Sequence, residues 1–110
     1  MKSDKKRRLE KAGWIVGTAY EFLELDEEER AYVETKLALA QALRERRQME
    51  ELTQSELADR LGSSQSRVAK MEAADPSVTL DLLMRSLFNL GTTQAEVASI
   101  IRRGARRSAA

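Results

Sequence analysis

The chain has 110 residues, 42% hydrophobic and 34% charged, with 19 lysines and arginines against 18 acids. At roughly 100–200 residues per domain this is one domain with one modest core. It contains no cysteine and no histidine, which excludes disulfides, thiolate and imidazole metal sites, and Ser-His-Asp or Cys-His nucleophile chemistry. One proline and five glycines favour an all-helical fold. No pair of carboxylates is marked out for acid–base work, so the expectation is a non-enzyme without metal or cofactor. No apolar run approaches the ~18–20 residues of a membrane span. The basic stretch Met1–Lys11 lacks the apolar core of a signal peptide, and a cytoplasmic location is expected.

The predicted elements follow in chain order. Residues 1–35 read as an N-terminal extension, basic and then acidic: net charge is +4 over residues 2–11 and −6 over residues 20–35. Gly13 and Gly17 flank Trp14, Ile15 and Val16, an irregular stretch with an apolar anchor. Thr18 and Glu21 have the spacing of a capping box, which predicts a short helix carrying Phe22 and Leu23. Asp26 is a second helix start, and Glu27, Glu28 and Glu29 suit the positive end of a helix dipole. From Glu27 to about Glu50 the spacing of Val33, Leu37 and Ala40, and of Leu39 and Leu43, predicts a long amphipathic helix.

Thr53-Gln-Ser-Glu56 is another capping box and opens a helix through about Arg60. Gly62 breaks it, and Ser63 or Ser64 caps a third helix to about Ala73. Asp75-Pro76-Ser77 is a break. Thr79 caps a helix with Leu80, Leu83, Leu87 and Leu90 on one side, and Gly91 ends it. Thr93-Gln-Ala-Glu96 opens the last helix, whose stripe is Val97, Ile100 and Ile101. Arg102, Arg103, Arg106 and Arg107 sit at its negative end or trail beyond it, a net +4 over residues 102–107. Basic ends suit phosphates or are solvated termini. The domain boundaries expected are 1–35 for the extension, 36–103 for the helical domain and 104–110 for a basic tail.

The informative segment is Leu52–Thr93. Two short helices are joined by a tight turn at Gly62, where a positive φ costs glycine least. Leu57, Ala58 and Leu61 face inward from the first, and Val68 and Met71 from the second. The remaining face of the second helix is Gln65, Ser66, Arg67 and Lys70, which form hydrogen bonds and include no acid. That is the physical description of a helix-turn-helix with its recognition helix.

Leu52-Thr-Gln-Ser-Glu-Leu-Ala, then Leu61-Gly-Ser-Ser-Gln-Ser-Arg-Val, then Met71-Glu, strongly resembles the phage-repressor-like Cro/C1 or XRE family. The resemblance covers about residues 36–101. It implies five helices, at about 36–50, 54–61, 65–73, 79–90 and 94–101, with the third entering the major groove. Two positions depart from the family pattern: Glu51 stands where glycine often precedes Leu-Thr-Gln, and Ala74 replaces the glycine of Glu-x-Gly. A left-handed helix cap disfavours both residues.

On DNA, Gln65, Ser66 and Lys70 are the expected base contacts. Glutamine can pair with adenine N6/N7 and lysine with guanine O6/N7. Gln54 is expected at a phosphate and, by the resemblance, bonded to the backbone. Ser64, Arg67 and Arg47 are the further expected backbone contacts. A homodimer on a pseudo-palindromic duplex operator follows from the same resemblance.

Small proteins of this type with an added N-terminal segment resemble antitoxins of the HigA kind, whose partner is a small basic ribonuclease of the RelE/HigB kind. Trp14, Tyr20, Glu21, Phe22 and Glu24 are the candidate toxin contacts, by charge complementarity and aromatic anchoring. The same side chains also suit packing on the long helix. The functional expectation is a sequence-specific regulator, as an autoregulating antitoxin. The alternatives are a free-standing phage-type repressor and a helical adaptor that does not bind DNA.

Overall fold

The computed structural model describes residues 26–109, with side chains to Ala105. Trp14, Tyr20, Glu21, Phe22 and Glu24, and the short helix expected before Asp26, lie outside the described residues. Five helices follow: α1 Glu27–Met49, α2 Gln54–Leu61, α3 Gln65–Glu72, α4 Leu80–Asn89 and α5 Gln94–Ala109. No strand forms among the described residues, and no helix there is long and apolar enough to cross a membrane.

Local chemistry sets where each helix begins. The Asp26 carboxylate accepts the Glu29 N–H at 2.8 Å. Thr53 and Glu56 exchange bonds, Thr53 N–H to Glu56 Oε1 at 2.8 Å and Glu56 N–H to Thr53 Oγ1 at 3.0 Å. Thr93 and Glu96 repeat that box at 2.8 and 3.1 Å. Ser64, rather than Ser63, caps α3 through the Arg67 N–H, and Thr79 caps α4 through the Leu82 N–H. Each cap satisfies one of the first-turn donors a helix leaves unpaired.

α1 is the axis of the domain. Its stripe of Leu39, Ala40 and Leu43 belongs to one buried core with Leu57 and Ala58 of α2, Val68 and Met71 of α3, Leu83 and Leu87 of α4, and Val97 of α5. Helix α5 lies antiparallel along one flank of α1. Arg46 pairs with Glu96 at one end, at 3.7 Å. At the other, a methyl built on Gly104 would stand 2.9 Å from Ala38 Cβ. The last helix therefore runs on to Ala109, past the expected end of its apolar stripe at Ile101, because Gly104 lets the two backbones approach. This crossing sets Gly104 against Ala38 and the Glu34 backbone of α1.

A side chain at Gly104 has no room there. Gly104→Leu should lower stability by about 1–3 kcal/mol, overpacking outweighing the gain in helix propensity. Thermal unfolding of the variant checks it. An unchanged midpoint would mean that α5 does not cross so tightly.

Both departures from the family pattern fall at left-handed residues. Glu51 has φ 56° and Ala74 φ 55°, against 67° at Gly62 and 87° at Gly91. All four positions follow a helix end closed by the same pair of bonds. After α1, the N–H of Glu51 reaches the Gln48 carbonyl and that of Leu52 the Arg47 carbonyl. After α3, Ala74 bonds Met71 and Asp75 bonds Lys70. These are Schellman caps, and they impose the left-handed φ whether or not glycine is present. Glu51 is exposed, so Glu51→Gly should raise stability by about 1 kcal/mol through relief of that strain, read as an upward shift in denaturant midpoint. Ala74→Gly should gain less, because Ala74 is buried and its methyl contributes about 0.8 kcal/mol of burial.

Candidate nucleic-acid interface

Helix α2 ends at Gly62, whose left-handed backbone turns the chain, and Ser64 starts α3 two residues later. Val68 and Met71 are fully buried and clamp α3 to the core. At 100° per residue, that clamp leaves Ser66, Lys70 and Ala73 on the outward side, with Gln65 and Arg67 on its two edges. All five are exposed, and Ala69 beside them is half-buried. Ala69 and Ala73 had no place in the sequence reading. Their methyl groups share the outward side and suit apolar contact with a thymine methyl.

The face carries two positive charges, with Asp75 beyond the end of α3 near enough to Lys70 to interact with it electrostatically. There is no acid in the first turn of α3, and neither Arg67 nor Lys70 forms an ion pair with a described residue. Ser64 Oγ accepts the Arg67 N–H at 3.2 Å and lies 3.4 Å from Ser66 Oγ. The Ser64 hydroxyl therefore sits at the N-terminus of α3, beside that of Ser66. Next to it, the Gln54 and Ser55 N–H groups at the start of α2 make no backbone hydrogen bond, the arrangement that receives an anion. The capping carboxylate of Glu56 shares that helix end. Bonds from the Thr53 N–H and hydroxyl hold it below the usual carboxylate range, so it is charged and turned back onto Thr53.

Gln54 and Gln65 are joined: Gln65 Nε2 donates to Gln54 Oε1 at 2.6 Å. Gln54 Nε2 in turn donates to Glu72 Oε1 at 3.1 Å. Glu72 lies at the end of α3 and is the anchor that the sequence reading missed; it was legible only as the acid following Met71.

Arg47 lies elsewhere than expected. Its Nε and Nη2 donate to the two Glu72 oxygens at 2.6 and 3.1 Å, and its Nη1 donates to the Leu52 carbonyl at 2.7 Å. The side chains of Arg47 and Glu72 are 12% and 5% exposed. The Glu72 bond is the main cause raising the Arg47 pKa above its ordinary value, against the opposing effect of burial. Arg47 thus ties α1, the α1–α2 loop and α3 together, and its guanidinium is used inside the fold rather than presented to a phosphate. The expected base contacts Gln65, Ser66 and Lys70 come together on one face. Ser64, Arg67 and Gln54 border it.

Residues 43–85, from the last part of α1 to the middle of α4, match the family model described as helix-turn-helix. No curated protein and no solved structure matches the chain. The matched region is all-helical and spans less than half of the chain.

Proposed function

We propose that this protein is a sequence-specific transcriptional regulator that lays α3 in the major groove of duplex DNA. The observation that carries the reading is the exposed, acid-free face of Gln65, Ser66, Arg67 and Lys70 on a helix clamped by Val68 and Met71. Gln65, Ser66 and Lys70 reach base edges, while Ser64, Arg67 and the start of α2 at Gln54 hold phosphates. The chain acts as a homodimer on a pseudo-palindromic operator, with the two α3 helices roughly 34–36 Å apart. Selection from a random duplex library tests this. Enrichment of a two-fold symmetric site with half-sites one turn apart, bound more weakly as salt rises, is the expected result. Enrichment of nothing by folded protein would defeat it.

The antitoxin form of this reading rests on Trp14, Tyr20, Glu21, Phe22 and Glu24. Co-purification with the product of the neighbouring gene is the observation that would favour it over a free-standing repressor.

A further inference from the structure

The hydrogen bonds behind the exposed face have a direction, and the direction is imposed by charge. An ionised carboxylate only accepts hydrogen bonds, whereas a glutamine amide donates at one end and accepts at the other. Glu72, held by Arg47 through two bonds, takes the NH2 end of Gln54. The carbonyl end of Gln54 is thereby turned to Gln65 and takes the NH2 end of that amide. The Gln65 Oε1 makes no hydrogen bond with a described residue. A neutral or donating group at position 72 would leave both amides free to turn over.

We infer that Glu72 is a specificity-determining positioning residue: relayed through Gln54, its charge fixes the polarity of the Gln65 amide, so that α3 offers a carbonyl oxygen to the groove. That oxygen needs a base edge with an exocyclic amino group. In the major groove adenine offers N6–H2 and cytosine N4–H2, whereas guanine and thymine show oxygen acceptors there. The second hydrogen of Gln65 Nε2 remains free and suits adenine N7, so adenine satisfies both ends of the amide. The reversed amide would favour guanine or thymine. Because Glu72 is buried and paired, salt screens its influence little. Overall affinity falls with salt, whereas the preference at this one base pair does not.

The inference rests on the regulator reading, and its test separates the two. The full chain and three variants, Gln65→Ala, Gln54→Ala and Glu72→Gln, are each put through selection from the random duplex library. Gln65→Ala marks the base pair that residue 65 reads. Gln54→Ala cuts the relay but leaves the Arg47–Glu72 pair intact, so it stays informative even where Glu72→Gln fails to fold; circular dichroism monitors both. At the marked base pair, a wild-type preference on the order of tenfold should fall to about twofold in Gln54→Ala and in folded Glu72→Gln. Preferences at the other positions should be unchanged. A folded Gln54→Ala that binds more weakly but keeps the wild-type preference shows that Gln54 serves only a phosphate, and overturns the relay while leaving the regulator reading in place. A wild-type chain that enriches nothing overturns both.

Discussion

Glu72→Ala and Arg47→Ala should each destabilise the domain by about 3–5 kcal/mol, the usual cost of leaving one partner of a buried ion pair without the other. The geometry gives the reason. Glu72 is almost fully buried and receives three bonds, two from Arg47 and one from Gln54. Without it, the guanidinium retains only its bond to the Leu52 carbonyl. The damage spreads to the α1–α2 loop and the end of α3, because Arg47 spans both. Denaturant unfolding of the two variants and the double variant measures it. The double variant should be less destabilised than the sum of the singles, since neither charge is then stranded. For Arg47, a phosphate-contact role predicts a different outcome: near-normal stability, uniformly weaker DNA binding and a shallower salt dependence. Native-like stability of Arg47→Ala would therefore restore that role and refute the internal one.

Gln65→Ala should weaken the selected site by about 1–3 kcal/mol and relax base preference at one position, leaving the salt dependence nearly unchanged. The exposed amide contributes nothing to the core, so stability should hold. Arg67→Ala, on the edge of the same helix, should weaken all sequences about alike and reduce the salt slope by roughly one. Binding isotherms for matched and mismatched duplexes at several salt concentrations separate the two behaviours. An unaltered preferred sequence in Gln65→Ala would mean that a different part of α3 reads the bases.

The helix-turn-helix was legible because its signals are local. Thr53 with Glu56 and Thr93 with Glu96 are capping boxes that form as spaced, Gly62 takes the left-handed turn, and Val68 and Met71 are buried where their three-residue spacing places them. The extent of α5 was less legible. Its apolar stripe ends near Ile101, and the seat of Gly104 on Ala38 is a contact between residues 66 positions apart, which no local pattern encodes. The left-handed turns at Glu51 and Ala74 were open to question because local preference opposes them; the paired cap bonds decide in favour of the turn. As a cation near the motif, Arg47 suits a phosphate on local pattern alone. Only folding shows that Glu72, 25 residues on, occupies it. The same contact turns a conventional-looking glutamine pair into a polarised relay.

The central claim is that α3, with the start of α2, meets the DNA. Titrating the selected duplex into isotope-labelled full chain and following backbone amide resonances measures this directly. The account predicts shifts concentrated at Gln54 and Ser55 and from Ser64 to Lys70, with the arginine-rich end of α5 little affected. Shifts concentrated at Arg102 and Arg103, with α3 unmoved, would contradict it.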